Sequence, residues 1–577
     1  MRDKILVALI LVLFVLLLAG LFYTQIIRFG YYSTLSKNNS IRIIPIDGPR
    51  GNIYDRNGAL LVTNRLSFDA AVIYRELDDR TRLVTVLRQT LGMSGKEIAD
   101  ALERAGSRPY APVTIVEDIP KEKAIRLEEA SFDISGLLIQ TRSKRSYIYK
   151  ETGSHLLGYL SEITEEELES LKDYGYKMRD MIGRSGIEKY YDTSLAGIDG
   201  GIQVEVDSRG RQTRVIGLKE PQSGKDVYLT IDIALQETCD KLLGEHKGAV
   251  IVMDPNTGEI LALASHPSFD PNLFVTPNTS AERRRLLTDN AGRPLSNRAI
   301  SGLYPPGSVF KIVTASAALE TKKITPLTEF ICTGVYRIGR AKLACWKKEG
   351  HGPQNVRSGL MNSCNVFFCN TGRAAGVDAL ESYAKLFGYG AYTGIDLPDE
   401  VKGIAPGKQW KKMRMGGAWY EGETANYAIG QGYLAVTPMQ VLDSMSVMAN
   451  KKGLVKPYLV KRIDKTDTPS GKINSIGLHA GTVNTIRGGL LDVVNDENGT
   501  GKRAKVEGLI VAGKTGTAQN PHGKTHAWFA GFAPYDNARI CIVVFLEQGG
   551  HGGLEPAEIG HGIFEEAKTK GYFDIRS

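Results

Sequence analysis

The sequence has little net charge for its length and no long block of charges of one sign. Its 577 residues include 72 Lys and Arg against 64 Asp and Glu, a formal net charge of +8, and the two signs are interspersed. This pattern argues against a nucleic-acid-binding protein and indicates a solvated basic surface that tolerates an anionic membrane or wall. A hydrophobic fraction of 42% is sufficient for packed cores. The length predicts about three or four domains.

Long apolar runs are also scarce. The one run long enough to cross a bilayer is Ile5–Tyr23, which contains no charged residue and spans about 28 Å as a helix, close to the roughly 30 Å hydrocarbon core. Because Arg2 and Lys4 precede it, we predict a cytoplasmic tail over residues 1–4 and a transmembrane anchor over 5–25. The run exceeds the apolar region of a cleaved signal peptide, and no small-residue cleavage site is evident. We therefore expect a single-pass protein with its remaining domains outside the cytoplasm.

Two domains are expected after the anchor. Residues 26–217 mix short strand-like runs with helical segments and hold no catalytic set, whereas the composition shifts near the start of residues 218–577. Four apolar runs in the second domain predict strands, at residues 248–254, 259–264, 526–532 and 540–545. The first two flank Pro255-Asn256-Thr257-Gly258, a tight-turn sequence that predicts a hairpin. An amphipathic helix is predicted at residues 555–570.

The stretch 301–320 contains the first candidate catalytic pair. The turn residues 305–307 are followed by Ser308 at an N-cap-like position, and residues 309–319 have apolar side chains at helical spacing. Lys311 stands one turn beyond Ser308 on the same helix face. A serine hydroxyl is a poor nucleophile until a base removes its proton, and a partly buried lysine can be that base. Alone, this spacing is a weak signal, because most such pairs are a cap and a solvated lysine.

Two further motifs strengthen the case for Ser308 and Lys311 as a catalytic pair. Ser363-Cys364-Asn365 and Lys514-Thr515-Gly516-Thr517 follow in chain order. Together with Ser308-x-x-Lys311, this order resembles the penicillin-interacting serine transferases, which comprise the penicillin-binding proteins and the serine β-lactamases. The resemblance implies an α+β fold, with an antiparallel sheet flanked by helices in the catalytic domain and an elongated, mixed α/β pedestal domain before it.

Other stretches resemble the class B, monofunctional penicillin-binding proteins. Residues 47–58 and 183–188 resemble two of their motif boxes, and residues 425–432 resemble the box before the last motif. His526 and Trp528 resemble the elongation-type members near the strand of the third motif. They are expected to line the substrate site or to support the residues that do, and packing in the core is the alternative for Trp528. The resemblance implies a non-catalytic pedestal or dimerisation domain that meets partner proteins. It also implies an association with the membrane glycosyltransferase RodA and other elongation-complex proteins.

The resemblance further implies the substrate, a peptidoglycan stem peptide ending in D-Ala-D-Ala, and binding of β-lactams. Ser308 is expected to attack the carbonyl between the two D-alanines, and Lys311 is expected to accept its proton. Burial and the nearby cation Lys514 are both expected to lower the pKa of Lys311. The backbone N–H groups of Ser308 and Thr517 are expected to form the oxyanion hole.

The second and third motifs have expected roles in the same reaction. Ser363 is expected to relay a proton to the leaving amine, and Asn365 to hold the substrate's amide. Gly516 is expected to let its strand approach the ligand closely. The terminal carboxylate of the substrate is expected to bind Lys514, Thr515 and Thr517.

Residues 508–515 also match the phosphate-binding pattern G-x-x-x-x-G-K-T. The four residues between the glycines are apolar and strand-forming, whereas a phosphate cradle needs a flexible loop. No helix pattern follows, because Gly516, Asn520 and Pro521 interrupt it. The expected compartment also lacks ATP, so we predict a strand here and no nucleotide site.

Six cysteines in a chain expected to be exported suggest disulfides. Four residues nevertheless have a spacing suited to tetrahedral zinc, namely Cys332, Cys345, His351 and Cys364. The resemblance adds that some elongation-type members carry zinc here, with carboxylates where this chain has Cys332 and Cys345. The alternative is a Cys332–Cys345 disulfide. Cys239, Cys369 and Cys541 are expected to be buried free thiols, and no organic cofactor is expected.

Three alternative functions share parts of this pattern. A division-specific class B transpeptidase has the same chemistry, but the zinc-like residue set argues against it. A serine β-lactamase needs a group that activates water for deacylation, and no clear glutamate motif lies between Ser363 and Lys514. A non-enzymatic β-lactam sensor usually has several membrane spans and a cytoplasmic effector, for which a tail of four residues leaves no room.

Overall fold

The computed structural model describes residues 2–171, 176–178, 180–206, 212–339, 341–468, 471–521 and 523–574. The chain divides into two compact units. The first comprises Met1–Gly51, Asn64–Arg145 and Ala196–Gly224, and the second comprises Asn52–Thr63, Ser146–Leu195 and Lys225–Ser577. Two segments of the second unit, residues 52–63 and 146–195, thus lie within the range that the sequence assigns to the pedestal.

The described residues contain these α-helices, in chain order: α1 (Arg2–Phe22), α2 (Phe29–Ser40), α3 (Arg80–Leu91), α4 (Gly95–Gly106), α5 (Lys121–Ser131), α6 (Ser154–Leu157), α7 (Glu165–Leu171), α8 (Gly186–Tyr190), α9 (Asp192–Leu195), α10 (Ile233–Leu243), α11 (Ser280–Thr288), α12 (Arg298–Ser301), α13 (Lys311–Glu320), α14 (Val356–Met361), α15 (Asn365–Ala375), α16 (Val377–Leu386), α17 (Lys408–Met415), α18 (Glu421–Ala428), α19 (Pro438–Asn450), α20 (Ala480–Asn495) and α21 (Glu555–Thr569).

The strands are β1 (Ile41–Ile46), β2 (Ile53–Tyr54), β3 (Leu60–Val72), β4 (Val113–Ile119), β5 (Leu137–Tyr147), β6 (Leu160–Glu162), β7 (Met181–Gly183), β8 (Gly200–Val206), β9 (Gln212–Lys219), β10 (Val227–Leu229), β11 (Gly248–Met253), β12 (Ile260–His266), β13 (Phe330–Cys332), β14 (Val335–Ile338), β15 (Ala341–Ala344), β16 (Gly352–Gln354), β17 (Gly453–Val455), β18 (Val460–Ile463), β19 (Thr466–Asp467), β20 (Ile473–Ser475), β21 (Ala512–Ala518), β22 (His526–Ala533) and β23 (Ile540–Leu546).

The N-terminal helix is apolar over residues 5–23. It spans Arg2–Ile27, with a π-helical turn at Tyr23–Ile27, and its most apolar window has a mean hydropathy of 3.4. No residue of its most apolar window is buried by any described part of the chain; Leu13, for example, is 57% exposed. Among the described residues it is the one helix long and apolar enough to cross a membrane, which agrees with the predicted single-pass anchor.

The first unit has its own small core. Strands β4 and β5 pair with β3, and the amphipathic helices α3, α4 and α5 contribute apolar side chains to the same hydrophobic cluster. α4 begins with a capping box, in which Ser94 and Glu97 satisfy each other's backbone N–H groups. A separate antiparallel sheet has the order β1-β8-β9.

The second unit is organised around a five-stranded antiparallel sheet of order β12-β11-β23-β22-β21. All four apolar runs predicted as strands are strands, and the predicted hairpin joins β11 to β12 through a turn in which Gly258 N–H donates to Asp254 O. The runs are continuously apolar because helices cover both faces. Val543 and Phe545 belong to the cluster that includes α19, whereas Ile542 and Val544 belong to the cluster that includes α10 and α21. The predicted antiparallel sheet flanked by helices is confirmed.

Candidate active site

Ser308 lies in a 3-10 helical turn, Gly307–Phe310, that leads directly into α13. The predicted N-cap position is wrong, because the helical turn already begins at Gly307, and Ser308 makes no capping bond to any described residue. Gly307 has a φ of +56°, and a Cβ there would lie 2.7 Å from the carbonyl oxygen of Thr517. Only glycine fits this conformation and this close approach. The turn that carries Ser308 is therefore seated against the strand of the third motif.

Lys311 is fully buried at the start of α13. Its Nζ donates to the Ser363 carbonyl oxygen at 2.7 Å, to Asn365 Oδ1 at 2.8 Å and to Ser363 Oγ at 3.3 Å. Burial lowers the pKa of Lys311 to about 8, because desolvation disfavours the charged amine. This agrees with the predicted effect of burial, whereas the predicted effect of Lys514 on Lys311 stays a prediction. The structure thus places a lysine that can lose its proton near neutral pH one helical turn from Ser308.

Ser363 connects two buried amines. Its hydroxyl accepts a hydrogen bond from Lys514 Nζ at 2.9 Å, in addition to that from Lys311. Burial, followed by the charge of Lys311, lowers the pKa of Lys514, so the two lysines disfavour double protonation. Ser363 also has a φ of +50°, a left-handed conformation that is costly for a residue with a side chain and is typical of functional sites.

Asn365, at the start of α15, has hydrogen bonds at both polar atoms of its side-chain amide. Its Nδ2 donates to the Ala344 carbonyl oxygen at 3.1 Å, and its Oδ1 accepts from Lys311. These bonds fix the amide orientation and point Lys311 towards Ser363. The predicted contact of Asn365 with the substrate's amide remains a prediction.

The third motif lies within an edge strand of the central sheet. β21 runs from Ala512 to Ala518 and pairs antiparallel with β22. The strand prediction for Leu509–Val511 is wrong, because these residues precede β21, and Leu509 forms only an isolated bridge with Val506. Since a strand and not a helix follows, the residues do not form a phosphate-binding loop. Among the described strands, none pairs with the outer edge of β21.

Comparison with known proteins agrees with this geometry. Residues 248–565 match the family described as "Penicillin binding protein transpeptidase domain", and residues 45–229 match "Penicillin-binding Protein dimerisation domain". "Peptidoglycan D,D-transpeptidase MrdA" of Haemophilus influenzae is 33% identical over 96% of this chain and 90% of its own length. The protein of the same name from Escherichia coli is 35% identical over 94% of this chain and 90% of its own length.

The chain belongs to the class B penicillin-binding protein 2 (MrdA) family of transpeptidases. Solved structures agree. Penicillin-binding protein 2 of Helicobacter pylori, in its complex with MreC, aligns with a TM-score of 0.80 and 27% identity over 92% of this chain and 100% of that chain. A chain of a peptidoglycan synthase complex aligns with a TM-score of 0.76 and 29% identity over 100% of this chain and 98% of that chain.

Two residues that the sequence did not indicate help to position the third motif of this penicillin-binding protein. Thr515 Oγ1 is 3.1 Å from Thr500 Oγ1, and the Thr500 hydroxyl donates to the Met361 carbonyl oxygen at 3.2 Å. The Gly552 N–H donates to Thr517 Oγ1 at 3.3 Å. Neither Thr500 nor Gly552 lies in a motif, so only the tertiary structure reveals them.

Gly516 and Trp528 show that strands β21 and β22 lie close to the turn that carries Ser308. A Cβ at Gly516 would lie 2.9 Å from Trp528 Cβ and 3.0 Å from the Pro306 carbonyl oxygen. Trp528 is fully buried, and its Nε1 donates to the Pro305 carbonyl oxygen at 3.1 Å. Of the interpretations left open for Trp528, core packing is therefore correct. The half-buried His526 accepts a hydrogen bond from the Gln548 N–H at 3.2 Å.

The four predicted metal ligands lie together. The ligand atoms of Cys332, Cys345, His351 and Cys364 are all within 4.8 Å of one another. His351 Nδ1 is 3.5 Å from Cys332 Sγ and 3.6 Å from Cys345 Sγ. A tetrahedral zinc site, with Zn–S about 2.3 Å and Zn–N about 2.0 Å, requires a separation of about 3.5 Å between such atoms. All six cysteines are buried free thiols, so the three cysteines of this set are available to bind a metal. Outside the set, Cys239, Cys369 and Cys541 are the buried free thiols that the sequence predicts.

Proposed function

We propose that the chain is a serine-type peptidoglycan D,D-transpeptidase that cross-links stem peptides during cell-wall elongation and is a target of penicillins. The observation that carries the proposal is the hydrogen-bonded series Lys311–Ser363–Lys514, which lies beside the turn that presents Ser308. This series joins all three motifs, which are far apart in the sequence, in one buried site. Family membership supports the same reaction.

The first half-reaction forms an acyl-enzyme. Neutral Lys311 accepts the proton of Ser308 as Oγ attacks the carbonyl between the two D-alanines of the donor peptide. The carbonyl oxygen becomes an oxyanion that the N–H groups of Ser308 and Thr517 stabilise, each such donor contributing roughly 3–4 kcal/mol to lowering the barrier. The proton passes through Ser363 to the leaving nitrogen, the C–N bond breaks, and free D-Ala departs.

The second half-reaction forms the cross-link. An amine of a neighbouring stem peptide attacks the acyl carbon, its proton returns through the same groups to Ser308, and the ester bond breaks. The substrate's carboxylate is held by Lys514, Thr515 and Thr517, and Asn365 holds the substrate's amide. Thr515 is mostly buried and bonded to Thr500, so substrate binding requires its hydroxyl to change partner.

The pKa of Lys311 sets the expected pH dependence of acylation. Because a protonated amine cannot accept the Ser308 proton, the rate constant should rise about tenfold per pH unit below pH 8 and level off above it. We would measure acylation by a fluorescent penicillin between pH 5.5 and 9.5, with circular dichroism confirming the fold at each pH. A rate constant that does not change across this range would contradict general-base catalysis by Lys311.

The function itself is tested with un-cross-linked peptidoglycan strands and the full chain in a lipid nanodisc. We expect peptide-linked dimers in the digested product, with one free D-Ala released for each cross-link, and neither product with Ser308→Ala. Release of D-Ala without dimers would indicate a carboxypeptidase. If penicillin acylates the wild-type protein but the protein yields neither dimers nor D-Ala, the result would contradict cross-linking by this chain alone.

We also propose that Cys332, Cys345, His351 and Cys364 hold one structural zinc ion. Zinc at this place would bind three thiolates and one imidazole, brace the loop of the second motif through Cys364, and take no part in the reaction. The distances of 3.5 and 3.6 Å from His351 Nδ1 to the sulfurs of Cys332 and Cys345, close to those of a tetrahedral zinc site, support this proposal. Elemental analysis of unchelated protein should find about one zinc per chain; protein without zinc, or with a Cys332–Cys345 disulfide by mass, would contradict it.

The domain organisation is proposed as a cytoplasmic tail at residues 1–4, an anchor at 5–25, a pedestal or dimerisation domain at 26–217 and a transpeptidase domain at 218–577. The apolar N-terminal helix supports the anchor, and the two matched families support the two domains. The catalytic domain then faces the extracytoplasmic (periplasmic) side. RodA and MreC are the proposed partners; a structural neighbour solved with MreC supports the second.

A further inference from the structure

Four aromatic side chains form a patch on the second unit, outside the motifs. The patch consists of Trp410, Trp419, Tyr420 and Tyr433, and it contains two of the chain's four tryptophans. The ring centres of Trp410 and Trp419 are 5.4 Å and 6.4 Å from that of Tyr433. Tyr420 is 65% exposed, and the other three rings are half-buried. Such a contiguous, partly exposed aromatic surface is typical of a binding site.

A partly buried ion pair holds the rings of the patch in place. The ammonium group of Lys411 is bonded to Glu423 and donates to the Ala418 carbonyl oxygen at 2.7 Å. The same Nζ lies 4.7 Å from the centre of the Tyr420 ring, within cation–π range. The Tyr433 hydroxyl donates to Glu423 at 3.2 Å. Rings fixed in this way lose little conformational entropy when a ligand binds.

The patch is attached to the elements that carry the catalytic groups. Tyr433 stands three residues after Gly430, whose carbonyl oxygen accepts from the Gly307 N–H at 3.0 Å, next to Ser308. At the other end, α18 follows Tyr420 directly and is bonded to α13, where the Thr314 hydroxyl donates to the Ala428 carbonyl oxygen at 2.8 Å. These hydrogen bonds therefore link the segments that carry the patch to the turn of Ser308 and to the helix of Lys311.

The helix beside the patch is strongly basic. α17 has the sequence KQWKKMRM, with four cations and no acidic residue. Lys412 and Arg414 are exposed and form no ion pair with another described residue. Met413 is also 71% exposed. The surface thus combines flat apolar rings with available positive charge.

We propose that this aromatic and basic surface is a binding subsite for the peptidoglycan strand, separate from the subsite for the D-Ala-D-Ala terminus. The apolar faces of pyranose rings pack on aromatic rings, and the carboxylates of the stem peptides pair with Lys412 and Arg414. A ligand without negative charge would gain nothing from the exposed cations of α17. The inference rests on the proposed function, because it assigns a second contact to the same substrate.

The test measures how tightly the full chain, in a nanodisc of neutral lipid, binds soluble un-cross-linked peptidoglycan strands. Tyr420→Ala should raise the dissociation constant about tenfold, as expected for truncation of an aromatic anchor. The matched control is Tyr392→Ala, which removes a tyrosine of similar exposure, 63%. It should change the constant by no more than about twofold.

A second pair of variants tests the charges. Lys412→Glu with Arg414→Glu should weaken binding of strands that carry stem peptides, while strands stripped of peptides by an amidase should bind these variants as they bind wild type. The control is Arg284→Glu with Arg285→Glu, on the exposed helix α11. Failure of stripped strands to bind wild-type protein would overturn the sugar contact.

Acylation of Ser308 by penicillin separates failure of this inference from failure of the proposed function. Penicillin is too small to need the patch, so its acylation rate should be unchanged in every variant. Normal acylation with unchanged strand binding would overturn the subsite alone, whereas no acylation of wild type would overturn the function. Unchanged strand binding, combined with loss of binding to anionic phospholipid vesicles in the charge variants, would assign the patch to a membrane surface and overturn the inference.

Discussion

Lys311→Met should abolish nearly all acylation of Ser308. Methionine has a similar length and suits a buried site, but it cannot accept a proton. The acylation rate constant for a penicillin should therefore fall by about 10³-fold or more, at the upper end of the range for general-base catalysis, because burial tunes the pKa of this lysine for the task. We would measure it by intact-mass kinetics, with Lys323→Met, an exposed lysine just beyond α13, as the control.

Lys311→Arg distinguishes a base from a mere positive charge. Arginine keeps the charge and several hydrogen-bond donors but stays protonated at any accessible pH. If the lysine acts as a base, this variant should be as slow as Lys311→Met. An arginine variant within about tenfold of wild type would show that the positive charge suffices and would contradict the assignment of Lys311 as the base.

Cys364→Ser should release the metal while it preserves the local helix. Cys364 is the N-cap of α15, where its Sγ accepts the Phe367 N–H at 3.4 Å, and serine is among the best N-cap residues. The substitution therefore removes one thiolate ligand without removing the cap. Bound zinc should fall from about one to nearly none, and the unfolding free energy of the catalytic domain should fall by more than about 3 kcal/mol.

Acylation should also slow in this variant, by about tenfold, because Cys364 lies between Ser363 and Asn365 and the loop loses its brace. The control is Cys541→Ser, a buried thiol outside the cluster, whose metal content should stay at one. Metal content and acylation like those of wild type in Cys364→Ser would contradict the proposed ligand set. Differential scanning calorimetry and elemental analysis on the same preparation provide both measurements.

The sequence predicted the elements that local pattern determines. Runs such as Ile540–Phe545 became strands because they are buried on both faces, and the turn at Pro255–Gly258 formed the expected hairpin. Leu509 and Val511 were misassigned because their burial comes from packing in the hydrophobic cluster that includes α10 and α21, not from strand pairing. A hydrophobic pattern reports burial, and only the tertiary structure shows which backbone groups pair.

In the candidate site too, some features follow from local sequence pattern and others only from the tertiary structure. The three motifs could be identified because their residue types and order carry the chemistry. The left-handed conformation of Ser363 and the hydroxyl contact between Thr515 and Thr500 could not, because each depends on segments distant in sequence. Ser308 was expected to be the cap, but it lies inside a helical turn whose N-cap is Pro306, and this position depends on the fit of Gly307 against Thr517.

The most direct test of the central claim is the intact mass of the full chain, followed for hours after penicillin is added, beside Ser308→Ala. The account predicts one drug adduct per chain that persists, maps to the peptide containing Ser308, and is absent from the alanine variant. An adduct that forms equally on Ser308→Ala would contradict Ser308 as the nucleophile. An adduct that disappears within seconds while the drug is consumed would identify a β-lactamase and contradict the proposed function.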